Sequence, residues 1–99
     1  MIEILTPPEV ARGRETGALV AEMLQTLKRR ATVGTNLLDI DEWTRALIVE
    51  AGAVSCYVDY EPSFGRGPFG HHICTSLNDA VLHGLPHDRT LADGDLLSL

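Results

Sequence analysis

The chain changes texture at Gly52. Before it, apolar residues recur at helical spacing; after it, β-branched and aromatic residues are broken repeatedly by Gly and Pro. That break dictates helices first and strands with loops second, an α+β order, within one 99-residue unit that shows no linker, repeat or second domain. So short a chain buries a modest core, and any missing packing partner weighs heavily on it.

Thr6-Pro7-Pro8-Glu9 is a helix start: a hydroxyl to cap, proline in the first turn and a carboxylate three residues on. The helix is expected over about 7–31, with Val10, Gly13, Gly17, Val20, Leu24, Leu27 and Ala31 on one face. Its two glycines cost helix propensity and suggest close approach to another backbone. A second helix is expected over about 37–51, capped by Thr35 or Asp39, burying Ile40, Trp43, Leu47 and Ile48 and ending at Gly52.

The segment 53–71 is predicted to be a pocket-forming loop. Tyr57, Tyr60, Phe64 and Phe69 supply most of the aromatic content there, as a small core under the loop or as an apolar side-chain pocket. A hairpin is expected over 72–84, turning at Asn78-Asp79, with Cys74 opposite His83 and Leu77 opposite Ala80. A further strand begins at 96–99.

Eight basic against fourteen acidic residues give a formal charge of -6, which argues against nucleic acid; the Lys28-Arg29-Arg30 cluster suits the carboxyl end of the first helix. No stretch has the make-up of an export signal or the length of a membrane span, so a cytoplasmic, membrane-free protein with Cys56 and Cys74 reduced is expected.

Gly65 to Gly70 satisfies GxGxxG, but Pro68 lies inside it and strand texture follows, so it reads as a glycine-rich loop facing substrate rather than a dinucleotide site. The histidines do not make a zinc site. Gly84 and Pro86 separate His83 from His87, and His71 and His72, as adjacent strand residues, should point to opposite faces. Cys74 with His83 is also readable as a thiol nucleophile and its base, though no orienting third group is evident and packing or pocket lining is preferred.

Ser55-Cys56-Tyr57-Val58-Asp59-Tyr60, Ile73-Cys74-Thr75-Ser76-Leu77-Asn78, Val81-Leu82-His83-Gly84-Leu85-Pro86 and Asp93-Gly94-Asp95 are, in that order and spacing, similar to motifs of the type I methionine aminopeptidases. The resemblance runs from the first helix to Leu99. It implies the amino-terminal half of a "pita-bread" fold, two helices followed by an antiparallel β-hairpin region, in a metalloprotease that removes the initiator methionine from nascent chains whose second residue is small. By the same resemblance, His83 occupies the place of a histidine that contacts substrate and stabilises the tetrahedral intermediate. Tyr60, Phe69, Cys74 and, more loosely, Tyr57 match the methionine pocket. The complete family enzyme uses two divalent metal ions, cobalt, manganese, iron or zinc, held by two aspartates, a histidine and two glutamates. The first of these is expected one position beyond Leu99, so this chain is expected to hold no metal and to be inactive alone. The partners implied are nascent peptides and a missing carboxy-terminal half. The alternative is a non-catalytic binding or complementing module built on the same fold.

Overall fold

In the computed structural model, which describes residues 1–99, helix α1 (Pro7–Arg30) begins where the Glu9 carboxylate accepts from the Thr6 backbone N–H at 2.7 Å and from the Thr6 hydroxyl at 2.6 Å. These bonds, the side-chain one foremost, hold the Glu9 carboxyl below its ordinary range. At the other end Lys28, Arg29 and Arg30 occupy the last turn, where positive charge complements the helix dipole. The Arg30 guanidinium also lies 4.0 Å from the centre of the Trp43 ring, tying α1 to the next helix by a cation–π contact.

Helix α2 (Leu37–Glu50) is capped by Asn36, whose side-chain oxygen accepts from Leu38 N at 3.0 Å, and not by Thr35 or Asp39. Thr35 is occupied elsewhere: its hydroxyl accepts from Thr32 N and its carbonyl from Leu91 N. Asn36 bridges to Thr90, and its amide donates to Asp88 at 2.8 Å, so the helix start is pinned by a segment more than fifty residues away. Gly52, at φ +66°, ends the helix in the left-handed conformation that suits glycine.

The core is five residues, Leu27, Leu37, Ile40, Ile73 and Leu91, ringed by half-buried Ala31, Trp43, Leu47, Leu77, Leu97 and Leu99. Only the carboxyl end of α1 takes part. Val10, Val20 and Leu24 are exposed, and a Cβ at Gly13 or Gly17 would meet nothing within 4 Å, so the predicted buried face is buried only from Leu27 onward and the glycines meet no other backbone in this chain. The physical reason is reach: α1 runs well past the short α2 and the loops below it.

The antiparallel pair is β1 (Ser76–Leu77) with β2 (Leu97–Ser98), Ser76 opposite Ser98 and Leu77 opposite Leu97. The turn at Asn78-Asp79 does form, with Ala80 N donating to Leu77 O at 3.1 Å and Asn78 at φ +54°. The ladder of the expected 72–84 hairpin does not. Asn78 gives its backbone N–H to Leu96 O and accepts from Leu96 N on its side chain, so the pairing capacity of β1 goes to the arriving β2 while Val81 and Leu82 stand exposed. The returning chain regains contact only at Gly84, where Thr75 N donates to Gly84 O at 2.7 Å, two residues out of the expected register. Asp95 stabilises this corner by accepting from Asn78, from Ala92 N and from Arg89, and the first of these bonds contributes most to lowering its pKa.

Thr75 is buried, and its hydroxyl has no hydrogen-bond partner. An unpaired buried hydroxyl costs about 1–3 kcal/mol, so the near-isosteric Thr75→Val should leave stability unchanged or raise it by about 1 kcal/mol in urea unfolding.

Candidate functional site

Loop 53–71 folds back on itself because Phe69 N donates to Tyr60 O and Gly70 N to Val58 O, both at 2.9 Å, with Gly67 and Gly70 at positive φ where the chain reverses. Closed this way, the loop borders an open cleft of about 540 Å³. Tyr57, Tyr60, Phe64 and Phe69 form the aromatic side, with Tyr57 and Phe69 edge to face at 6.1 Å between ring centres. Cys74, His83 and Leu85 line the same cleft.

The five residues singled out from sequence, Tyr57, Tyr60, Phe69, Cys74 and His83, therefore line one cleft, although the hairpin pairing expected to bring the last two together is absent. A different device does so. Gly84 presses against the β1 entrance so closely that a Cβ there would lie 2.2 Å from Thr75 O, and its N–H donates to Ser76 Oγ at 3.1 Å. With Gly84 fixed, His83 sits at φ +56°, a conformation rare for a non-glycine residue and concentrated at functional sites. Leu85 and Arg66 also line the cleft; both lie within segments the sequence marks as motifs, but an aliphatic side chain and a loop cation carry no chemistry of their own and are not singled out there as site residues.

His71 and His72 do not point to opposite faces. The segment is not a strand, and both residues turn to Asp41 on α2: His71 Nδ1 lies 2.9 Å from Asp41 Oδ2, His72 N donates to Oδ1 at 2.7 Å, and the His72 ring stands 3.8 Å from the same oxygen. Asp41 carries no sequence signal, because a polar residue on a helix reads as solvated face.

Burial pushes the Cys74 thiol above its ordinary range, the opposite of what a thiolate nucleophile needs, and no hydrogen bond joins the thiol to His83, so neither geometry nor burial favours the cysteine-enzyme reading. The sign for stability follows: the native state favours the protonated thiol, so this contribution is complete below the ordinary thiol range and is lost as pH rises through the raised value. Cys56 is exposed, so iodoacetamide at neutral pH should modify it well before Cys74, as read by mass spectrometry; equal rates would contradict the burial.

The lining of the cleft offers one imidazole and one protonated thiol but no carboxylate, and nowhere in the chain do three or more His, Cys, Asp or Glu side chains gather as a metal site would need. Hard divalent ions bridged by water require carboxylate-rich ligand sets, so these residues do not fit a two-metal centre. No helix is long and apolar enough to cross a membrane.

Residues 11–99 match the family described as metallopeptidase family M24. The chain is 35% identical to methionine aminopeptidase 1 of Bacillus subtilis, with 100% of this chain and 38% of that protein aligned. It is 33% identical to the methionine aminopeptidase of Mycoplasma capricolum, over 100% of this chain and 37% of that one. A solved methionine aminopeptidase structure from Streptococci superposes with a TM-score of 0.89 at 25% identity, covering 98% of this chain and 34% of that chain. The chain thus spans little more than a third of the length of the relatives it matches.

Proposed function

This chain belongs to metallopeptidase family M24, and we propose from that premise that it is the methionine-recognising portion of a methionine aminopeptidase. The observation that carries the proposal is the cleft: its lining brings together four aromatic rings and a histidine held in a strained backbone conformation. A methionine side chain is unbranched and polarisable, and its sulfur gains from contact with aromatic edges, which Tyr57, Tyr60 and Phe69 offer. Cys74, kept protonated, completes the pocket as a small apolar group. On this reading His83 donates a hydrogen bond to the oxygen that becomes negative when the first peptide bond is attacked.

The substrates are nascent chains with amino-terminal methionine and a small second residue, met in the cytoplasm. Divalent ions activate water and polarise the carbonyl in such enzymes. The residues here do not fit those ions, so their ligands lie outside the 99 residues and the isolated chain is inactive. A carboxy-terminal portion, as long as that of the relatives, supplies the ligands.

Release of methionine from a Met-Gly-type peptide, with manganese or cobalt added, tests this. The isolated chain should release none, and the chain extended to the length of its relatives should turn over in a metal-dependent way. Turnover by the isolated chain would refute its inactivity, and an inert extended chain would refute the enzyme.

A further inference from the structure

Much of the cleft lining sits on a glycine- and proline-rich loop that stands largely exposed. Residues 61–70 include three glycines and two prolines, most of them exposed, and two backbone bonds close the loop without fixing any ring. Phe69 nonetheless has a defined pose, because its ring is gripped on two sides: by Tyr57, edge to face at 6.1 Å, and by His71, near edge to face at 5.6 Å and 75°. The second grip leads out of the loop. His71 Nδ1 bonds to the Asp41 carboxylate at 2.9 Å, and the other Asp41 oxygen accepts from His72 N at 2.7 Å. Asp41 follows the fully buried Ile40 on α2, so the carboxylate stands on a helical turn seated in the core.

We infer that Asp41 is a positioning residue for the cleft: through His71 it sets the place of the Phe69 ring and so the width of the aromatic wall. A carboxylate only accepts, so the bond puts the proton on His71 Nδ1 and fixes the imidazole in its near-perpendicular contact with Phe69. Neither Asp41 nor His71 lines the cleft, so neither touches a ligand there. The effect is wholly on geometry, the kind of support that decides whether a site is tight or loose.

The inference rests on the methionine-pocket reading only in its ligand measurement. Two measurements on the 99-residue chain keep the two apart. The first needs no ligand: the nuclear Overhauser contact between the Phe69 and Tyr57 rings. It should be present in the parent, weak or absent in Asp41→Ala and in His71→Ala, and restored in Asp41→Asn, where the amide can still accept from His72 N and donate to the opposite His71 tautomer. The second is affinity for L-methionine, expected to fall about tenfold in each alanine variant, no further in the double variant, and to stay within about twofold of the parent in Asp41→Asn. If Asp41→Ala fails to fold, His71→Ala decides, because it leaves Asp41 its bond to His72 N. An intact Phe69–Tyr57 contact in His71→Ala, or losses that add fully in the double variant, overturns the inference. Loss of the ring contact in a parent background that never binds methionine upholds the positioning role and overturns the pocket reading instead.

Discussion

Gly84→Ala should abolish the fold of the site and, in a chain this small, cooperative folding as well. The added Cβ would lie 2.2 Å from Thr75 O and 2.7 Å from Ser76 Cα and Thr75 C, all backbone atoms that no side-chain rotation can clear. Relief requires moving the 83–85 segment off β1, which breaks the bond from Thr75 N to Gly84 O and the bond from Gly84 N to Ser76 Oγ. A clash of this kind with loss of two bonds costs about 3 kcal/mol or more, against a total stability on the order of 5–15 kcal/mol for a domain of this size. Gly13→Ala is the control of opposite sign. A methyl there meets nothing and replaces glycine inside α1, so it should stabilise by about 0.5–1 kcal/mol. Urea unfolding of both variants reads the difference, and a Gly84→Ala chain as stable as the parent would mean the close approach does not exist.

His83→Ala carries the largest expected effect on catalysis, measured in the chain extended to the length of its relatives. If the imidazole donates to the developing oxyanion, its loss should lower kcat about 10²–10³-fold with little change in KM, since the bond strengthens in the transition state and contributes little to ground-state binding. His83→Gln, which can still donate, should recover part of the loss. A rise in KM with kcat intact would move His83 from the reacting centre to the pocket wall. Its φ of +56° adds a second expectation: His83→Gly should be no less stable than the parent, because glycine takes that conformation without strain.

Local signals were the legible part. Proline and Glu9 around Thr6, the periodicity of the two helices and Gly52 after the second are short-range features, and both helices are where such features put them. The aromatic cluster between Tyr57 and Phe69 was legible as four rings in one short loop, and all four line one open cleft, but Tyr57, Tyr60 and Phe64 stand exposed and form no small core beneath the loop. What escaped was every feature set by partners far along the chain. Asn36 takes the cap of α2 because Asp88 and Thr90 hold it there; β1 pairs with β2 instead of with residues 80–84; Asp41 turns out to organise His71 and His72. The hairpin shows the competition most plainly. Asn78-Asp79 does turn the chain, but Leu96 captures Asn78 on both its backbone and its side chain, and a two-residue turn cannot impose a ladder against that.

The most direct test of the account is to place a reactive methionine in the cleft and ask what it touches. A short peptide whose first residue is a diazirine analogue of methionine, photolysed with the 99-residue chain and mapped by mass spectrometry, should mark Tyr57, Tyr60, Phe69, Cys74 or His83, and free methionine should compete the labelling away. Labels confined to the exposed side of α1, or labelling at the cleft that methionine does not diminish, would contradict it.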